Sequence, residues 1–74
     1  MMSWKLLVHT IPPEQRQALL SYCESAQKQD ETFKFTFDDK YVVIDCPTMD
    51  VAYKRGILLH SRFNVFFEVE RNKQ

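Results

Sequence analysis

Few side chains in this sequence are suited to chemistry, and they are scattered. His9 and His60 are the only two histidines, and Cys23 and Cys46 the only two cysteines. Together they could in principle supply zinc ligands, but no CxxC or HxxxH spacing brings two of them onto one turn or helix face. A nucleophile needs a neighbouring base and a group that orients the base. Cys46, followed directly by Pro47, has neither within reach along the chain. Asp38 and Asp39 sit between two apolar runs and read as a turn rather than as a paired-carboxylate site. Lys54, Arg55 and Arg62 make one segment locally basic, a secondary docking face for an acidic protein or a phosphate. Asp50 ahead of them gives the charge order that a helix dipole favours without any ligand. The residue types therefore predict no catalytic residue, no metal and no cofactor.

The charge balance narrows the partner class. Ten Lys and Arg offset ten Asp and Glu among 74 residues, and the balance is even in both halves. A dedicated nucleic-acid binder usually carries a basic excess. With 45% hydrophobic and 27% charged residues and a single Gly, the chain is too apolar to stay disordered. Two cysteines without a framework read as reduced thiols in a cytoplasmic protein. The opening MMSWKLLVHT holds too short an apolar run for a signal peptide, and nothing approaches the ~20 apolar residues of a membrane span. A single domain over residues 1–74 is expected. A domain this small buries only about 60% of its unfolded surface, so an oligomer interface would add useful stability.

The positioning elements follow from pattern and punctuation. Residues 4–10 (WKLLVHT) form a nearly continuous apolar run, as in a central strand. Pro12 and Pro13 stop it, and Pro at a first helical position with Glu14 beside it starts a helix to about residue 27. Leu19, Cys23 and Ala26 share one of its faces. A polar loop at 29–31 leads to a strand at 32–37 (TFKFTF), a turn at 38–40, and a strand at 41–46 (YVVIDC) that Pro47 ends. Thr48 or Asp50 caps a second helix over 49–62, with Ala52, Gly56, Leu59 and Phe63 on one stripe. Gly56 costs ~1 kcal/mol relative to Ala in a helix interior, which implies close approach of that helix to the sheet. Tyr53, Ile57 and His60 form another stripe, either against the first helix or free for a partner. Residues 64–71 (NVFFEVER) form the last strand, and 72–74 a frayed tail.

The order βαββαβ, with right-handed crossovers, gives the α+β ferredoxin-like arrangement: a four-stranded antiparallel sheet with both helices on one face. Alternation then assigns Leu6, Val8, Phe33, Phe35, Phe37, Val42, Ile44, Cys46, Val65, Phe67 and Val69 to the helix side. It leaves Leu7, Tyr41, Val43 and Phe66 on the opposite side as an apolar centre with a charged rim. Contiguous exposed apolar patches usually have a use. The expected function is therefore a small, non-enzymatic interaction or regulatory (inhibitor) module that binds another protein, or itself, through that face. Compactness would suit a viral or accessory protein. The alternative is binding of RNA or single-stranded DNA on the same face, since the topology is similar to that of RNA recognition motifs. KYVVIDC, however, lacks the Gly of their signature, and Asp45 would repel phosphate. An acylphosphatase-like phosphate loop is excluded, because HTIPPEQ has no Gly and two residues without amide donors. A third reading, an enzyme with a pocket at the sheet edge, has no residue set to support it.

Overall fold

The computed structural model describes residues 3–72. Its elements run β1 (Trp4–His9), a 3-10 turn (Pro13–Gln15), α1 (Arg16–Gln29), β2 (Lys34–Phe37), β3 (Val42–Cys46), α2 (Met49–Phe63) and β4 (Phe66–Arg71). The sheet order is β2-β3-β1-β4 with every pairing antiparallel. This is the ferredoxin-like topology that the sequence predicts.

The central strand sets the core. Leu6 lies opposite Ile44 on one side and Val69 on the other, and Val8 lies between Val42 and Phe67. Leu6 and Val8 are fully buried. The hairpin places Phe37 opposite Val42 across the four residues Asp38 to Tyr41, so Tyr41, expected to open the third strand, lies in the loop. Its turn is closed by the Asp38 amide donating to the Tyr41 carbonyl, 2.8 Å, and by the Asp39 amide donating to the Asp38 carboxylate, 2.7 Å. The helices cover the core with Leu19 and Cys23 from α1 and with Ala52, Gly56, Leu59 and Phe63 from α2.

Each helix ends where its sequence provides partners for its orphan backbone groups. Thr48 caps α2, its hydroxyl accepting from the Val51 amide at 3.1 Å. At the other end Asn64 adopts a left-handed conformation, φ 57°, and its amide donates to the His60 carbonyl. Asn tolerates that region and commonly closes helices this way. Asn64 thus belongs to the helix cap rather than to the last strand's outer face. The first helix begins with a 3-10 turn around Pro13 and extends to Gln29, two residues past its expected end. Asp30 then holds the following loop by accepting from both the amide (2.9 Å) and the hydroxyl (2.6 Å) of Thr32. These bonds to the charged form hold the Asp30 carboxyl below its usual range. Of the tail expected to fray, Asn72 is hydrogen-bonded to Ser3 through its amide (2.9 Å) and side chain (3.0 Å). Residues 73 and 74 lie outside the described residues.

Gly56 explains how close α2 comes to the sheet. A Cβ at this position would lie 2.7 Å from Cγ of the Phe67 ring, a separation that real side chains do not tolerate. The close approach outweighs the helix-propensity penalty of glycine. Gly56→Ala is therefore expected to lower stability by ~1–3 kcal/mol despite the better helix former. Phe67→Leu in the same background should recover part of that loss. Urea denaturation of the three proteins measures it, and an unchanged or raised midpoint for Gly56→Ala would contradict the close-packing account.

Candidate functional site: the open face of the sheet

Both helices lie on one side of the sheet, so the odd-numbered residues of β1 and their cross-strand partners face away from them. Three rungs result. In the middle rung Thr36, Val43, Leu7 and Glu68 follow one another across β2, β3, β1 and β4. Leu7 and Val43 are half-buried side by side. In a second rung His9 pairs with Phe66, and Tyr41, just before β3, reaches the same end of the sheet. Phe66 is 53% exposed and Tyr41 43%. Phe66 stands one rung away from Leu7, whose direct neighbour on β4 is Glu68. The third rung reads Lys34, Asp45, Lys5, Glu70. The expected contact residues Leu7, Tyr41, Val43 and Phe66 thus share one face but not one row. Two of them make an apolar centre, and the other two flank His9 at one end.

His9 has more partners than the sequence suggests. Its Nδ1 lies 2.8 Å from the Thr10 hydroxyl and its Nε2 3.3 Å from Glu68 Oε2. Thr10 has φ 53°, a strained conformation for a β-branched residue. It turns the chain off β1 toward Ile11 and the two prolines. An open cleft of about 600 Å³ adjoins this corner, lined in part by Leu7, His9, Tyr41 and Glu68. A hydroxyl, an imidazole and a carboxylate in sequence could relay a proton. Here, however, Thr10 is adjacent in the chain and exposed, and the Glu68 side chain is 64% exposed. Water competes for both contacts. The arrangement fits a cross-strand tether of β1 to β4 better than a desolvated catalytic site.

The remaining candidates lie on the helix side or at its edge. His60 touches the Val65 carbonyl through Nδ1 at 2.7 Å and meets the Phe66 ring edge-on at 5.7 Å. The stripe of Tyr53, Ile57 and His60 therefore leans toward β4 rather than α1, with Tyr53 edge-on to Phe67 at 6.3 Å. Lys54, Arg55 and Arg62 are not brought together. Lys54 pairs with Asp50 at 3.2 Å, and Arg62 lies over the Tyr22 ring. Arg55 lies 5.0 Å over the Phe33 ring, with Nη1 3.4 Å from the Asp45 carbonyl and 3.6 Å from Cys46 Sγ. Arg55 would ordinarily favour a thiolate, but burial outweighs it and pushes the Cys46 thiol up. Burial likewise pushes Cys23 up to about 11, with Glu24 adding to the effect. Both thiols are neutral core side chains. Among the described residues no three His, Cys, Asp or Glu are grouped to hold a metal ion, and no helix is long and apolar enough to cross a membrane.

Comparison with known proteins gave no match: no family model fits the chain, and neither the curated proteins nor the solved structures contain one significantly similar to it.

The buried thiol of Cys23 gives a pH dependence of definite sign. Burial raises its folded-state pKa to about 11, from 9.0 for an ordinary thiol. Below pH 9 the thiol is neutral in both states and the stability is fully present. As pH rises from 9 to 11 the unfolded chain releases a proton that the folded chain retains, and stability falls. The stability advantage of the wild type over Cys23→Ala should shrink by about 2 kcal/mol between pH 8 and pH 11. Denaturation curves at pH 8 and pH 11 measure this, and a difference independent of pH would contradict it.

Proposed function

We propose that this protein is a non-enzymatic interaction module that binds a protein surface through the open face of its sheet. The carrying observation is the face itself. Leu7 and Val43 are packed side by side at its centre with no helix over them, and Phe66 and Tyr41 stand exposed at one end. Aromatic anchors beside an apolar centre, with charges at the margin, are the usual anatomy of a protein interface. A phosphate backbone fits less well: Asp45, Glu68 and Glu70 outnumber Lys5 and Lys34 on this face, and nucleic-acid affinity depends on cationic contacts. A regulatory or inhibitory role is the biological form this reading takes.

Phe66→Asp and Val43→Asp place a charge in the apolar centre and on its aromatic flank. Each is expected to abolish association, with itself or with a captured partner, while leaving the circular dichroism spectrum unchanged. Cross-linking and affinity capture of wild type and variants side by side provide the check. Association that survives both substitutions would remove the sheet face from the account.

A further inference from the structure

The outer rung at the far end of the face has a charge order with a geometric consequence. Reading across β2, β3, β1 and β4, it runs Lys34, Asp45, Lys5, Glu70: plus, minus, plus, minus. None of the four forms an ion pair with another described residue. A row of this kind is complementary to its own reversal. If a second sheet is laid face to face and turned about an axis parallel to the strands, between β3 and β1, the strand order reverses while each rung stays level. Lys34 then lies over Glu70 of the other copy, and Asp45 over Lys5. By the same operation the middle rung sets Val43 over Leu7 and Thr36 over Glu68, so apolar meets apolar and a hydroxyl meets a carboxylate. At the aromatic end His9 meets Tyr41, and Phe66 lies over the end of β2 beside Asp38, the one unmatched pair.

The other in-plane axis, perpendicular to the strands, gives no such match. It lays the charged rung over the aromatic one and sets Glu68 against Glu68. Of the two in-plane axes, only this one matches the charged and middle rungs, and the contact it makes is isologous, as homodimer contacts are.

We infer that the open face is covered by a second copy of this chain, stacked face to face about a two-fold axis parallel to the strands between β1 and β3. This rests on the sheet face being the interaction surface and names its occupant. Aligned sheets pack about 10 Å apart and turn about 30° relative to each other, and the long Lys and Glu side chains at the corners accommodate that turn. Four strands and three rungs cover roughly 400 Å² in plan, below the ~800 Å² per partner of a standard interface. The dimer is therefore a weak, exchanging one.

Sedimentation equilibrium of the full chain from about 10 μM to about 1 mM covers the range of such weak interfaces. The wild type should pass from monomer toward dimer. Lys34→Glu and Glu70→Lys each turn two symmetry-related attractions into repulsions, and each should weaken the dimer about tenfold. In the double variant the pairs are exchanged and the wild-type affinity should return. An equimolar mixture of the two single variants should also recover, because each supplies the charges that the other lacks. A wild type that stays monomeric at the highest concentration, single variants that dimerise like the wild type, or a mixture that does not recover would each overturn the inference. A monomer that captures a different protein, and loses it on Phe66→Asp, overturns the second copy while leaving the interaction reading in place. A dimer indifferent to Phe66→Asp and to both charge reversals overturns both.

Discussion

The structure depends on β1 having a strand on each side. Leu6 and Val8 are each flanked by two cross-strand apolar partners, and the helices close over them. Alternation along a strand has a period of two, so fixing these two residues inward fixes Lys5, Leu7 and His9 outward. The helices cannot cover both sides. The chain therefore builds a complete core from half of its strand residues and leaves the other half facing away. Gly56 is part of the same constraint. The helix over β1 and β4 sits so low that Phe67 occupies the space of a side chain there.

How far this could be read from sequence depended on what fixes each register. The register of the β2–β3 hairpin was legible, because a short turn dictates which residues pair and the phenylalanines mark the covered face, although the strands begin at Lys34 and Val42 rather than at residues 32 and 41. The helix stripe of Ala52, Gly56, Leu59 and Phe63 was equally plain, since all four are buried. That β4 lies beside β1 follows from the fold, but the register between them was not legible. Two helices and a hairpin lie between them in the chain, so no local turn links them, and only packing decides that Phe66 stands opposite His9 while Leu7 stands opposite Glu68. The alternating charge row is invisible in the sequence for the same reason. Its four members come from four strands, and their order exists only once both non-local registers are known. Asn64 carried a readable signal, an asparagine after a helix, but its place beside an apolar strand pattern masked it. Thr10 in a left-handed conformation had no signal at all, because β-branched residues seldom adopt it.

The candidates for chemistry were absorbed by structure in different ways. Cys23 and Cys46 became core volume, with burial keeping their thiols neutral. Arg55 was drawn away from any basic face by the Phe33 ring and the end of β3. His9 found partners on both ring nitrogens, but in contact with water. A proton relay needs a dry, preorganised setting for its charges to act strongly, and this corner of the sheet lies open.

Neutral net charge has a different meaning once the charges are placed. In sequence it argued only against a polyanionic partner. On the sheet, cations and anions of the outer rung alternate strand by strand, while the acidic Glu68 stands at the end of the apolar rung. A surface meant for a polyanion or a polycation would gather one sign. Alternation instead rewards a partner that alternates in the opposite phase, and the reversed row of an identical chain is such a partner. For a domain whose single core supplies only about 3–5 kcal/mol, covering Leu7 and Val43 with their own symmetry mates would also add to the stability of the fold that displays them. Stability and recognition would then draw on the same three rungs.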